Sequence, residues 1–397
     1  MRINPDEIRS AQFIDTFYPV VDGVVQVVDN YASIMNRQTY ACVVTPKALK
    51  DYDDTRLSYD VYRTSSLKVP VAEYSIPAPK FDNGVRDYLR DKQIDILHAH
   101  SPFFEGSFAS SFAKKLGVPT VATFHSKYYD DVVNITGSKM IARLITKKIV
   151  RFYRTVDSVW TVSQGAADTL RSYGFAGEIK VMPNGTSFAL NGDPEKLRAR
   201  AAAEFSVPQD KKLLLFVGHL IKHKNLKLIL DTFRMLNDKS DEYRLILVGN
   251  GYDEKEIKEY AAKQNYSEGF VRFVGRITDR ELLAGMYLNA DLFFFPSMYD
   301  TSGLVVREAA AMGVPSLLTE GSNAAEAIEK DVSGFVAAEN KVAMYREILR
   351  IFNTDGLLKS AGAAAKRDIA RTWEQIIPEV RDAYAEIIEK YRFENRF

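Results

Sequence analysis

Two carboxylates bracket a small polar pair in the stretch YDTSGLVVREAAAMGVP, residues 299–315: Asp300 stands before Thr301-Ser302-Gly303, and Glu308 follows within an apolar run. The preceding DLFFFPSMYD reads as a buried strand ending in a turn. GLVVREAAAMG reads as a helix that begins near Ser302-Gly303-Leu304 and stops at Gly313. A helix start built on small residues offers unpaired backbone amides to an anion, and phosphate suits it. A carboxylate one to two turns further in would repel that phosphate, so Glu308 suits a neutral partner such as the ribose hydroxyls of a nucleotide. Asp300, in the loop, can accept hydrogen bonds from sugar hydroxyls. The plain alternative is a turn aspartate and a solvated helix glutamate. Three of the five histidines also end apolar runs: His98 and His100 in ILHAHSPFFEG, and His125 in VATFHSKYYDD. Ligands of parallel sheets bind outside the carboxyl ends of strands, which makes His125 a candidate contact. His98 reads as a satisfied structural histidine. The spacing of the three is not a compact ligand motif, and no metal is expected.

The elements that must hold these residues are short apolar runs alternating with helical stretches. RSAQFID, YACVVTP, IDILHAH, PTVATFH and SVWTVS read as strands in the first half, and KLLLFVG, YRLILVG, VRFVG, DLFFFPS and PSLLTE in the second. Their hydrophobicity is continuous rather than alternating, as in strands covered by helices on both faces. The expected class is α/β, with two doubly wound parallel-sheet domains, and 397 residues suit two cores. The boundary is expected within NGDPEKLRARAAAEFSVPQDKK, giving a first domain over 1–190 and a second over 191–372. The amphipathic segment 373–397 reads as a helix that either packs on the second domain or crosses back to the first. A formal net charge of +1 gives no global field for nucleic acid. The single cysteine, Cys42, excludes an internal disulfide and a cysteine zinc cluster. With no apolar signal core and no stretch near ~18 apolar residues, the expectation is a cytoplasmic chain that meets a membrane only at its surface.

The acid-loop-acid stretch resembles the donor-site signature of the retaining GT-B glycosyltransferases of glycosyltransferase family 4, which carries two acids separated by seven residues. Asp300 stands where Glu is usual. LLLFVGHLIKHKNLKLILDTF is similar to the family's opening of its second domain, where an Arg and a Lys bind the donor diphosphate; Lys224 matches the Lys, and His219 stands in place of the Arg. VRFVGRITDRELLAGMYLNADLFFFPS is similar to the segment that holds the nucleobase between backbone groups, here around Arg276 and Ile277. In RLILVGNGYDEKEIKEYA, Gly249 and Gly251 match glycines that let backbone pass near the nucleotide. FIDTFYPVVDGVVQVV looks like the family's first strand and loop, with Gly23 at the glycine that approaches the donor. FYPVVDGVV and FHSKYYDD look closest to bacterial lipid and cell-envelope enzymes.

The resemblance implies a GT-B fold with two domains facing a central cleft, the first binding acceptor and the second nucleotide sugar. It implies transfer of a hexose with retention, UDP-glucose as the favoured donor and no cofactor. His125 would contact the transferred sugar; His100 is read as intermediate between a structural histidine and one that shapes the acceptor pocket. Lys224, with the amides at Ser302, Gly303 and Leu304, would stabilise the leaving phosphate while Asp300 holds the sugar. The acceptor would be a lipid or glycan. SKMIARLITKKIVRFYRTVD carries Lys139, Arg143, Lys147, Arg151 and Arg154 on one stripe and Ile141, Leu144, Ile145, Ile149 and Phe152 on the other. Such a helix over 139–154 either lies on anionic lipid at the inner face of the cell membrane or turns its apolar stripe to the core. A phosphorylase or sugar-nucleotide epimerase on the same fold, or a non-catalytic nucleotide-sugar-binding protein, are the competing readings.

Overall fold

The computed structural model describes residues 3–48, 52–68, 75–188, 192–267 and 269–395. The chain divides into two units, one of residues 1–184 with 373–397 and the other of residues 185–372. The boundary expected at residues 190 and 191 lies outside the described residues.

The first unit is built on a seven-stranded sheet. Its spatial order is Asp60–Thr64, Ala41–Pro46, Ser10–Phe13, Ile96–Ala99, Thr120–Phe124, Ser158–Thr161, Lys180–Val181, all parallel. A small antiparallel pair, Ser66–Lys68 with Ser75–Pro77, stands apart from it. The second unit has six parallel strands in the order Val271–Gly275, Tyr243–Val248, Lys212–Val217, Leu292–Phe295, Ser316–Thr319, Phe335–Ala337. In both sheets the first strand in sequence lies inside the sheet, and the chain then continues from its other side. Strand order therefore reverses beside Ser10–Phe13 in one unit and beside Lys212–Val217 in the other. Ligands of open α/β sheets bind at the carboxyl ends of strands flanking that reversal.

Helices cover both faces, which is why the central strands are buried along their whole length. Phe293, Phe294 and Phe295 point alternately to opposite faces and all are buried. The C-terminal helix Trp373–Glu394 belongs to the first unit, where Trp373, Ile376, Ile377, Val380 and Tyr384 are buried. Arg381 on the same helix bonds Asp6 at 3.0 Å and the Met35 carbonyl at 3.2 Å.

Two glycines at the carboxyl end of Tyr243–Val248 have a steric reason besides the one read in the sequence. A Cβ on Gly249, whose φ is +133°, would lie 1.9 Å from the Gly218 carbonyl oxygen, and one on Gly251 would lie 2.5 Å from the Leu220 carbonyl oxygen. The chain's own loops already come this close, with or without a ligand. Gly249→Ala is expected to destabilise the protein by about 3 kcal/mol or more, through steric overlap and a strained φ. Urea unfolding checks this, and an unchanged midpoint would mean that the two loops separate without cost.

Candidate active site

Lys224 ends a short turn, Lys222–Lys224, that follows the Lys212–Val217 strand. Asp300 follows the neighbouring Leu292–Phe295 strand across the reversal in strand order. Their loops meet, and Lys224 Nζ donates to Asp300 Oδ1 at 2.5 Å. The ammonium also lies 5.3 Å from the Phe295 ring centroid and 5.8 Å from that of Tyr299, so two aromatic rings stand beside it. Both charged side chains are largely buried. The second carboxylate oxygen, Asp300 Oδ2, is buried and has no hydrogen-bond partner. Leaving a buried acceptor unmatched costs about 1–3 kcal/mol, and this oxygen keeps the capacity to accept one more hydrogen bond.

The following helix runs over Leu304–Ala311, with Gly303 before it in the left-handed region at φ 58°. A Cβ at Gly303 would stand 3.0 Å from the Ala324 Cβ, a second reason for glycine here. Ser302 and Leu304 flank it, both half-buried. Glu308 is buried on the inner face of this helix. Its Oε2 accepts from the Tyr287 hydroxyl at 3.0 Å, and Arg280 Nη1 lies 3.8 Å from its Oε1. Burial pushes the Glu308 carboxyl up to about 7, while Arg280 and Tyr287 pull it down. Glu308 is thus not the solvated helix residue of the plain alternative. Arg280 is held in turn by the Ser187 hydroxyl, to which Nη2 donates at 2.6 Å, and by the Phe188 ring 4.1 Å below its guanidinium.

His219 is exposed and directly follows Gly218 at the end of the same strand that leads to Lys224. Its carbonyl accepts from the Ile221 amide at 2.9 Å. Arg276, exposed, and Ile277, half-buried, follow the Val271–Gly275 strand. Gly275 accepts from the Gly249 amide at 2.8 Å, which ties the two loops together. The second unit therefore brings Lys224 and Asp300 into contact, and it places Ser302, Gly303, Leu304 and Glu308 on one helix and its start.

Gly23 and His125 belong to the first unit. Gly23 opens the helix Gly23–Met35, and Asp22 caps that helix by accepting from the Val25 amide at 2.8 Å. The VVDG stretch is thus a helix start, and the aspartate carries the cap. His98 is pinned between the Tyr384 hydroxyl at 2.6 Å and the Thr123 hydroxyl at 2.7 Å, as a structural histidine should be. His100 reaches His125 at 3.1 Å, and burial lowers the His125 pKa to about 3. Among the described residues, no group of three or more His, Cys, Asp and Glu is placed to hold a metal ion.

Reading the sequence missed Tyr287, Arg280 and Tyr299. Tyr287 is one apolar-looking residue in ELLAGMYLNAD, and no local pattern reveals that its hydroxyl meets a carboxylate 21 residues later. It also missed Asp15 and Glu105. The Asp15 carboxylate accepts from the Glu105 amide at 2.9 Å, and burial raises the Glu105 carboxyl to about 8.

Residues 21–189 match the family model described as Glycosyltransferase Family 4, and residues 198–368 match that described as Glycosyl transferases group 1. The chain is 26% identical over 315 residues to the Alpha-monoglucosyldiacylglycerol synthase of Streptococcus pneumoniae, covering 78% of this chain and 70% of that one. It is 24% identical over 395 residues to a GDP-mannose-dependent alpha-mannosyltransferase of Corynebacterium glutamicum, covering 96% and 89%. Among solved structures, the Anabaena Alr3699/HepE complex with UDP-glucose aligns with a TM-score of 0.74 at 16% identity, over 97% of this chain and 100% of that one. A Rickettsia africae glycosyltransferase aligns with a TM-score of 0.74 at 18% identity, over 96% and 99%.

Proposed function

The chain belongs to the glycosyltransferases of family 4 and group 1 and has their GT-B architecture of two parallel-sheet domains, and on that premise we propose that it transfers a hexose, with retention and without a catalytic metal, from a nucleotide sugar to a hydroxyl of a lipid or cell-envelope glycan. In this reading the first unit binds acceptor and the second binds donor. The observation that carries it is the Lys224–Asp300 pair with its unmatched Asp300 Oδ2, followed by a buried Glu308 on the next helix. Lys224 and the amides at Ser302, Gly303 and Leu304 take the diphosphate, Asp300 Oδ2 takes a sugar hydroxyl, and Glu308 takes the ribose. Arg276 and Ile277 hold the base through backbone groups, and Gly23 and His125 face the sugar. With Asp300 engaged by Lys224, the natural route to retention is attack on the face that the phosphate leaves, with that phosphate receiving the acceptor's proton.

UDP-glucose is the donor we favour. One structural neighbour is a complex with UDP-glucose and one relative is named for a glucosyl lipid, while another relative's name specifies GDP-mannose. Thermal-shift screening against UDP-, GDP-, ADP- and dTDP-sugars, without metal, decides among them. A selective rise with UDP-glucose is expected, and no rise with any of the four would sink the donor reading.

The lipid side of the proposal rests on the helix Lys139–Tyr153. Its apolar stripe is divided. Ile149 and Phe152 are buried in the core and Ile145 packs against it, whereas Met140, Ile141 and Leu144 are 70%, 39% and 61% exposed. Ile135, on the preceding helix, is 83% exposed. Lys139, Arg143, Lys147 and Lys148 surround these residues and are exposed. Among the described residues no helix is long and apolar enough to cross a membrane. We therefore place the protein in the cytoplasm, peripherally on the inner face of the membrane, with the start of this helix on anionic lipid at about 1 kcal/mol per basic residue. Met140→Glu with Leu144→Glu is expected to abolish sedimentation with phosphatidylglycerol vesicles while leaving UDP-glucose affinity intact. Undiminished sedimentation would remove this helix from the membrane contact.

A further inference from the structure

The loops that carry Lys224 and Asp300 are tied together a second time. The residues one step earlier in each loop also meet: the His223 imidazole stacks on the Tyr299 ring, with centroids 5.5 Å apart and planes 28° from parallel. His223 lies in the turn Lys222–Lys224, and Tyr299 lies in the loop after Leu292–Phe295. Two consecutive contacts therefore join these loops, residue 223 to 299 and residue 224 to 300. All four residues belong to the second unit, beyond the carboxyl ends of the two neighbouring strands beside which strand order reverses. Ligands of parallel sheets bind at that place.

The stack uses the faces of the two rings and leaves their polar edges unspent. Among the described residues, neither ring nitrogen of His223 nor the Tyr299 hydroxyl makes a hydrogen bond, although both residues are half-buried. Other half-buried tyrosines of the same unit behave differently: the Tyr260 hydroxyl donates to Asp231 and the Tyr266 hydroxyl to the Leu230 carbonyl, each at 2.6 Å. Asp300 Oδ2, beside Tyr299 in the chain, is unmatched as well. What these atoms suit follows from what they exchange. A phosphate oxygen only accepts, and Lys224 with the amides about Gly303 serves it. A phenol hydroxyl both donates and accepts, and an imidazole donates from one nitrogen and accepts at the other. Groups of this kind match a partner that also does both, which a sugar hydroxyl does.

We propose that Tyr299 and His223 are specificity-determining residues of the donor site: the Tyr299 hydroxyl and the His223 ring nitrogens bind hydroxyls of the transferred hexose alongside Asp300 Oδ2. This rests on the transferase reading above, in which Lys224 takes the diphosphate and Asp300 a sugar hydroxyl. The stack holds both polar edges in place before the donor arrives, so less freedom is lost when the hexose binds. Tyr299 thus does two things, packing beside the Lys224 ammonium with its ring and reading the sugar with its oxygen.

Tyr299→Phe and His223→Phe keep a ring in the stack and delete the polar atoms, and calorimetric titration of the full chain with UDP-glucose and with UDP is the test. In each variant the affinity for UDP-glucose is expected to fall about five- to tenfold, the worth of a neutral hydrogen bond, while the affinity for UDP stays within about twofold of the parent's. Equal losses for the two ligands would mean that the pair serves Lys224 and the phosphates, and would overturn the hexose assignment. Undiminished UDP-glucose affinity in both variants would overturn it too. Tyr299→Phe, the loss of a single oxygen atom, carries the test alone if His223→Phe fails to fold. The parent separates this inference from the reading beneath it. A parent that binds UDP but not UDP-glucose would overturn the hexose contacts and leave the nucleotide site standing, whereas a parent that binds neither would overturn the donor reading itself.

Discussion

Exchanging Lys224 for alanine is expected to lower kcat/KM by on the order of 10²–10³, the scale found when a charge-stabilising group is taken from a developing anion. The same change should destabilise the donor-free protein, because Asp300 would keep a largely buried carboxylate with its cation partner gone; roughly 1–3 kcal/mol is expected for a pair not wholly desolvated. The two effects separate in a double variant. Lys224→Ala with Asp300→Ala removes both charges, so stability should return toward the parent's while activity stays lost. Steady-state kinetics and urea unfolding on the two variants are sufficient. Activity within a few-fold of the parent in Lys224→Ala would take phosphate stabilisation away from this residue. Failure of the double variant to recover stability would mean that Lys224 is held chiefly by its packing on Phe295 and Tyr299 and that the Asp300 charge matters little. The contact also bears on donor entry. In the proposed reading a diphosphate arriving at Lys224 shares the ammonium with Asp300, whose Oδ2 stays available for a sugar hydroxyl.

Much of this arrangement was legible in the sequence, for physical reasons that differ by element. Continuous apolar runs such as DLFFFPS can only be strands covered on both faces, and the buried Phe293–Phe295 triplet meets that requirement. The helix start at Gly303 was legible because a small residue between a strand and an apolar run has few other uses. What could not be read is whatever depends on pairing across the sheet. Lys224 and Asp300 are 76 residues apart, and only the adjacency of their two strands turns two separate candidates into an ion pair. The histidine stack has the same origin. His98 and His100 lie on one strand's end and His125 on the next, so the stacking follows from parallel register, which periodicity does not encode. The Lys139–Tyr153 helix shows the converse limit. Its 3.6-residue period correctly yields an apolar stripe, but the stripe is covered at Ile149 and Phe152 and open at Ile141 and Leu144, and only the surrounding fold decides where the cover ends.

Glu308 provides the second large effect, and its sign follows from its setting. Burial raises the carboxyl from its ordinary 4.5 to about 7, with Arg280 and Tyr287 opposing the rise. The folded state therefore binds a proton more tightly than the unfolded chain. The stability this confers is fully present below about pH 4.5 and is lost as pH rises through about 7. Above that point the buried carboxylate is a cost, and Glu308→Gln should make the donor-free protein more stable at pH 8 by roughly 3 kcal/mol, since each tenfold difference in proton affinity between the folded and unfolded states is worth about 1.4 kcal/mol. Ribose hydroxyls reverse the preference, because they donate to the carboxylate and favour its charged form. Nucleotide affinity should therefore fall about tenfold per pH unit as pH drops below about 7 and level off above it. In Glu308→Gln that slope should vanish and affinity at pH 8 should drop roughly 10–100-fold, as expected when charge-assisted hydrogen bonds are replaced by neutral ones. Calorimetric titration of UDP from pH 5.5 to 8.5, beside thermal unfolding of both proteins at pH 8, measures the two halves together. A variant that binds UDP as the parent does would end the assignment of Glu308 to the ribose. A variant no more stable than the parent would mean that Arg280 already compensates the buried charge. Together the expected results describe a side chain kept at the expense of the resting fold because the nucleotide requires it charged.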